Sequence, residues 1–289
     1  MDKQPTQFTW QGSSTAQMVS AFHKDGYLML HDFANHDECD ALMQQADKLI
    51  DEFDAAKHKI VFSASGQSHA ASDYFMKSAS NISFFLEQGA VDDDGNLIKD
   101  KAKAINKIGH ALHDLDPHYR QFSRKAELAD LAQAIGFQNP LLLQSMVICK
   151  QPLIGGEVNP HQDSTFLYTE PESCVGFWLA LEDATIENGC MWASEGSHNG
   201  PLLSRFVRAQ DGMKMVENEA GIMPECDVPL IAPKGTLILL HGRLPHLSPA
   251  NHSKRSRYAY ALHVIDGAAD YAADNWLQRP DDFALSGFA

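Results

Sequence analysis

Positive charge is scarce in this chain. Lys and Arg number 23 against 38 Asp and Glu, a formal charge of −15. Such a surface repels a phosphate backbone, so no nucleic acid is expected as a main partner. Cysteine is sparse as well: Cys39, Cys149, Cys174, Cys190 and Cys226 are odd in number, far apart and without a CxxC pair. That excludes a disulfide framework and a structural zinc knot, and favours a reducing compartment. No run approaches the ~18 apolar residues of a membrane span, and the opening Met-Asp-Lys-Gln-Pro-Thr-Gln carries no apolar stretch of signal-peptide length. The expectation is a soluble, cytoplasmic protein with no membrane partner. Internal repeats and Pro-, Gly- or Ser-rich linkers are missing too, so nothing forces a domain cut.

What remains is an ordinary globular composition, 44% apolar and 21% charged over 289 residues, enough for one large core. The periodicity changes along it. Residues 1–140 read mainly as helical support: Ala16 to Lys24 closed by Gly26, Asp37 to Phe53 with Leu42, Met43, Ala46, Leu49, Ile50 and Phe53 three or four apart, and Ala126 to Ile135 closed by Gly136. Ile82 to Leu86 and Asn96 to Ile98 flank Asp93-Asp94-Gly95, a hairpin-turn sequence. Residues 141–265 switch to short β-rich runs: Leu141 to Lys150, Val175 to Leu181, Gly189 to Trp192, Thr236 to Leu240 and Arg257 to Val264, separated by turn residues. Many short strands without intervening helices predict a jelly-roll sandwich or barrel, mainly β with flanking helices and the N-terminal helical part packed outside. Residues 266–289 form a tail, and the whole reads as a single compound domain.

The acidic run Asp92, Asp94, Asn96 opens like a calcium loop. However, Leu97 stands where that loop needs Gly and no Glu follows at its twelfth position, so it reads as a solvated turn.

Histidine is abundant, with 14 in the chain. His-x-Asp occurs twice, no more than chance allows. His23-Lys24-Asp25 ends a predicted helix, where residues two apart diverge, and reads as a surface helix end. His161-Gln162-Asp163 follows the turn Gly155-Gly156-Glu157-Val158-Asn159-Pro160, and in an extended backbone its two donors project on one side. His246, beyond the strand Thr236 to Leu240, is the candidate third donor. Two imidazoles and one carboxylate on one face of an octahedral ion leave three positions open, the pattern of non-haem Fe(II) oxygenases. Spacing alone favours the plainer reading, histidines that satisfy buried hydrogen bonds or lie on loops. Beyond His246, Ser248 shares its strand face, and Lys254-Arg255-Ser256-Arg257 runs into the apolar Tyr258-Ala259-Tyr260-Ala261-Leu262. An arginine entering such a strand calls for a carboxylate or phosphate. Strand parity does not choose between Arg255 and Arg257.

The segments Gly156 to Asp163, Glu187-Asn188-Gly189-Cys190-Met191-Trp192, Gly196-Ser197-His198, His246-x-Ser248 and Arg257 together resemble the phytanoyl-CoA dioxygenase family. One subgroup of it is matched most closely, through Ile105 to Leu112 and Phe166 to Pro171. The likeness covers nearly the whole chain and implies a double-stranded β-helix using Fe(II), 2-oxoglutarate and O2. It implies that His161, Asp163 and His246 are the catalytic metal ligands. Arg257, assisted by Ser248, would pair with the distal carboxylate of 2-oxoglutarate, and Lys107, Met146, Gln162 and Trp178 would be further cosubstrate contacts. Because Asp163 is retained, hydroxylation with release of succinate and CO2 is implied rather than halogenation. The chain departs from the family at Glu195, where proline is common before Gly-Ser-His.

The same residues also fit a non-catalytic jelly-roll ligand-binding module or a zinc hydrolase, and succinate formation separates these from a dioxygenase. The substrate reads as a small molecule. A branched acyl-CoA finds no basic cluster for its phosphates, and the terminal Ser-Gly-Phe-Ala is not the peroxisomal Ser-Lys-Leu. Oligomeric state is not legible.

Overall fold

A computed structural model describes residues 4–55, 69–92, 96–210, 212–218 and 221–289. Its helices are α1 Thr15–Asp25, α2 His36–Glu52, α3 His69–Lys77, α4 Leu112–Leu115, α5 Pro117–Ser123 and α6 Ala126–Ala134. Its strands are β1 Gln7–Thr9, β2 Tyr27–His31, β3 Ile82–Leu86, β4 Ile105–His110, β5 Pro140–Lys150, β6 Val158–His161, β7 Thr169–Glu170 and β8 Val175–Ala180. The remainder are β9 Met191–Ala193, β10 Ser204–Ala209, β11 Gly212–Glu217, β12 Val228–Leu230, β13 Leu237–His241, β14 His246–Ser248, β15 Arg257–Asp266 and β16 Asp270–Tyr271.

Eight strands form the major sheet in the order β1-β2-β13-β8-β15-β5-β4-β3, and four form the minor sheet, β12-β9-β14-β6. The central strands β8 and β15 are buried along their whole length, which is why they read as near-continuous apolar runs. Alternation sorts the faces of the major sheet. Tyr27, Met29, Trp178, Ala180, Ile238, Leu240, Ala259 and Ala261 turn inward and pack against Met191, Ala193, Val228 and Leu230 of the minor sheet. Leu28, Leu30, Phe177, Leu179, Leu237, Leu239, Tyr258 and Tyr260 turn outward against Met18 and Phe22 of α1 and Leu42, Ala46 and Ile50 of α2. Two sheets face to face, with helices on one outer side, make a jelly roll.

Local chemistry fixes the helices. In α2 the side chain of Asn35 accepts from the backbone N–H of Glu38, and Glu38 reaches back to the N–H of Asn35, a reciprocal cap. Helix α1 stops at Gly26, whose φ of 83° is costly for any residue with a Cβ. This end of α1 is less exposed than its sequence suggests, because Asp25 is buried.

Residues 1–140 do more than supply helices, since β1 to β4 complete half of the major sheet. Strand β3 pairs with β4, not with Asn96 to Ile98. β4 escapes the strand pattern because adjacent polar Asn106 and Lys107 and the following Gly109 break its alternation. The turn expected at Asp93-Asp94-Gly95 lies outside the described residues; Val91 and Leu97 on either side form an antiparallel bridge. The C-terminal segment is docked: Trp276 and Leu277 are buried with Phe75, Leu143 and Ile265, and β16 pairs with β7.

Candidate active site

Strands β6 and β14 lie side by side in the minor sheet, and His246 is the direct register partner of His161. Their ring centroids are 4.3 Å apart. Asp163 stands just past the end of β6 in a short 3-10 turn, Asp163–Thr165. Its Oδ1 is 3.6 Å from Nε2 of His161 and 3.8 Å from Nε2 of His246. One donor atom from each of the three residues falls within 4.8 Å of the others, the one such group of acidic, His or Cys side chains among the described residues.

The backbone presents these donors in a usable state. Nδ1 of His161 is 2.8 Å from the carbonyl of Asn159, and Nδ1 of His246 is 3.0 Å from that of Leu244. A carbonyl only accepts, so each Nδ1 carries a proton, and in the neutral ring Nε2 keeps a lone pair on the side of Asp163. Burial, reinforced by the neighbouring His161, pulls His246 down to about 4. For His161 burial acts in the same direction, but the Asp163 carboxylate outweighs it and leaves the ring above its ordinary value. Burial alone would raise the Asp163 carboxyl; His263 and His246 beside it hold it well below the usual carboxylate range. A buried carboxylate with two imidazole lone pairs converging on it fits a divalent cation of the iron kind.

Across the barrel, the inward face of the major sheet carries the second half of the site. Arg257, the first residue of β15, is 1% exposed. Its guanidinium meets Oγ of Ser248 at 3.1 Å and lies 5.4 Å from the ring centre of Trp178. Its Nε and Nη1 have no hydrogen-bond partner among the described residues. Ser248 in turn donates to the carbonyl of Gly189. Burial draws the guanidinium down to about 10, so it stays charged at neutral pH. A buried cation with two idle donors calls for an anion, and its planar fork matches a carboxylate.

Strand pairing aligns further residues with this face. Lys107 opposes Ile148, Met146 opposes both Gly109 and Ala261, and Ala261 opposes Trp178. Lys107 lies over the rings of Phe85 and Phe75 at 5.1 and 5.7 Å, and burial pushes its ammonium down to about 7. Gln162 is different. Alternation turns it away from His161, and its amide donates to the carbonyls of Pro201 and Arg243 while accepting from the N–H of Leu203. Both its donors are committed to bracing loops in this structure. Arg255 is settled too, being exposed in a bend before β15 begins.

Two polar side chains escaped the sequence reading. Lys150 is the register partner of Arg257, and its ammonium bonds the carbonyls of Pro249 at 2.6 Å, Gly156 at 2.7 Å and Ser248 at 3.4 Å. His263, three strand positions of the same parity beyond Arg257, puts Nε2 at 3.3 Å from Oδ2 of Asp163. Parity along β15 was the available signal for His263; for Lys150 there was none.

Open coordination positions beside a triad of this kind are where non-haem iron oxygenases take up cosubstrate and O2, and a buried guanidinium on the facing sheet, bonded to Ser248 of the strand that carries His246, suits an oxo-diacid. Fold and site together are those of the 2-oxoglutarate-dependent, non-haem iron oxygenases. The sequence model of the family described as phytanoyl-CoA dioxygenase (PhyH) matches residues 22–259. The chain is 45% identical over 269 residues to phytanoyl-CoA dioxygenase of Arabidopsis thaliana, covering 93% of this chain and 95% of that one. It is 42% identical over 271 residues to phytanoyl-CoA dioxygenase domain-containing protein 1 of Bos taurus, covering 90% and 93%. Among solved structures, the non-heme alpha ketoglutarate dependent carbocyclase SnoK from nogalamycin biosynthesis aligns with TM-score 0.63 at 16% identity, over 98% of this chain and 99% of that one. EctD from S. alaskensis with bound Fe aligns with TM-score 0.58 at 19% identity, over 96% and 86%. These two likenesses establish the jelly-roll fold. The chain belongs to the phytanoyl-CoA dioxygenase family.

Proposed function

We propose that the protein hydroxylates an unactivated carbon of a small molecule while 2-oxoglutarate is converted to succinate and CO2. His161, Asp163 and His246 hold the metal in this reading. Arg257 and Ser248 take the distal carboxylate of the cosubstrate, and Lys107, Met146 and Trp178 line its pocket. The observation that carries it is the buried Arg257, whose Nε and Nη1 have no hydrogen-bond partner among the described residues: left unmet, those donors cost stability that a diacid would return.

Ferrous iron, when bound, supplies oxygen activation coupled to oxidative decarboxylation of 2-oxoglutarate. The chain's own work is placement. The carbonyls of Asn159 and Leu244 keep the two imidazoles in the tautomer that ligates, and the Ser248 hydroxyl aims the guanidinium. Trp178, Met146 and Ala261 form a water-poor wall around the diacid, where charge pairing is strengthened. The substrate stays a small molecule in this reading. No described helix is long and apolar enough to cross a membrane, and all five cysteines are free thiols, which suits a reducing compartment such as the cytoplasm.

The test is succinate formation from 2-oxoglutarate with Fe(II) and O2 across a metabolite panel. Turnover that stops without O2 and in His246→Ala supports the reading. Zinc-supported hydrolysis indifferent to oxygen, or ligand binding with no succinate from any substrate, overturns it.

A further inference from the structure

Asp163 is the single carboxylate of the triad, and its two oxygens have different neighbours. Oδ1 is the one nearest both ligand imidazoles, at 3.6 and 3.8 Å. Oδ2 faces Nε2 of His263 at 3.3 Å. Access is created by Gly176, the cross-strand partner of His263 on β8. A Cβ there would stand 3.0 Å from Oδ2 and 3.6 Å from His263 Nε2. The sequence thus keeps a hydrogen atom where a Cβ would crowd the carboxylate oxygen and stand in contact with the imidazole beside it.

The position of His263 is otherwise unrewarded. His263 is 7% exposed, and its Nδ1 has no hydrogen-bond partner among the described residues. Its neighbours of equal parity on β15 are Ala259 and Ala261, so an apolar side chain would continue the wall without burying an unsatisfied nitrogen. The polar contact that sets this cost against a gain is the one to Asp163.

We infer that His263 is a positioning residue that occupies Oδ2 of Asp163 and so restricts this carboxylate to binding metal through Oδ1 alone. The inference rests on the metal site proposed above. Its consequence is a coordination count. A carboxylate free to rotate can bind through both oxygens and take one of the three positions that cosubstrate and O2 require, whereas a carboxylate with one oxygen held by an N–H donor leaves them open. The proton on His263 Nε2 stays there throughout; no transfer is involved.

The test is Co(II) binding to the full-length protein, followed by the visible absorption of the cobalt site, with three variants compared at matched folding by circular dichroism. His263→Leu fills the volume without a donor. His263→Asn carries an amide near the Nδ1 position, and His263→Gln carries one near Nε2. Expected are a 10–100-fold loss of Co(II) affinity with an altered spectrum in the Leu and Asn variants, and recovery of most of both in the Gln variant. If Leu and Asn bind within about twofold of the unsubstituted protein, an effect well below that range, or if Gln is as weak as they are, the inference fails while the metal site stands. If the unsubstituted protein itself binds no Co(II) and His161→Ala changes nothing, the metal site fails and takes the inference with it. Should the Leu variant not fold, the contrast between Asn and Gln still decides.

Discussion

The phenol of Tyr27 donates to Oε2 of Glu195 at 2.7 Å. Glu195 stands immediately before Gly196-Ser197-His198, and the contact ties the loop after β9 to the inner face of β2. Tyr27 itself is 1% exposed, and burial, with the Glu195 carboxylate second, raises its phenol above the ordinary value. Glu195→Ala is expected to lower stability by about 1 kcal/mol, because a buried hydroxyl loses its acceptor. Denaturant midpoints would show this, with Co(II) affinity unchanged. Tyr27→Phe should cost no more than Glu195→Ala; a collapse of metal binding in either variant would show that the loop does more than brace β2.

Arg257→Met separates binding from folding. Loss of the guanidinium should raise the Kd for 2-oxoglutarate at least about 30-fold, as expected for truncating one side of a buried charge pair, roughly 2 kcal/mol or more. The melting temperature without cosubstrate should not fall, since Arg257 buries idle donors that methionine lacks. Titration calorimetry and thermal melts read the two effects independently.

Lys150 secures the same region from behind, through the carbonyls of Gly156, Ser248 and Pro249. Lys150→Met strands these acceptors. Expected are a loss of about 2 kcal/mol in urea unfolding and weaker 2-oxoglutarate binding, because Ser248 and Arg257 lose their backing. Full stability in this variant would leave the lysine without the role assigned to it.

Metal removal should be visible in stability alone. A site that forms only in the folded chain gains about 2.7 kcal/mol at a free metal concentration 100 times Kd. Fe(II) under argon, or Co(II), is therefore expected to raise the melting temperature, EDTA to reverse the rise, and His161→Ala to abolish it.

Acid stability traces to Asp114. Burial acts to raise its carboxyl, but His113, Arg124 and Arg279 outweigh that and hold it at about 2. Arg124 and Arg279 approach its two oxygens at 2.9 and 3.2 Å. A carboxyl depressed on folding contributes stability above its unfolded value near 4, and that contribution is lost as the pH falls toward about 2. Urea midpoints between pH 5 and pH 2.5 should therefore drop more steeply in the parent protein than in Asp114→Asn, by an amount of order 2 kcal/mol.

How much of this was legible beforehand follows from parity. His246 with Ser248 is a two-residue spacing within β14, and His161 with Asp163 spans the end of β6 into a 3-10 turn; both pairs carry the i, i+2 spacing that announces a shared side on extended backbone. The long buried runs of β8 and β15 were equally plain. Parity failed at Arg255, because the strand starts two residues beyond it, at Arg257, and at β4, where Asn106, Lys107 and Gly109 interrupt the alternation. The braces of Gln162 and Lys150 were invisible for a different reason. Their partners are backbone carbonyls, which every residue possesses and no sequence spacing marks.

The direct opposition of His161 and His246 on neighbouring strands has a consequence for biogenesis. A slip of one residue in that pairing would point one imidazole out of the cavity, and no fragment containing only β6 or only β14 owns both rings. Cation capture is thereby deferred until distant parts of the polypeptide have zipped together correctly, which makes iron loading a built-in proofreader of the finished barrel.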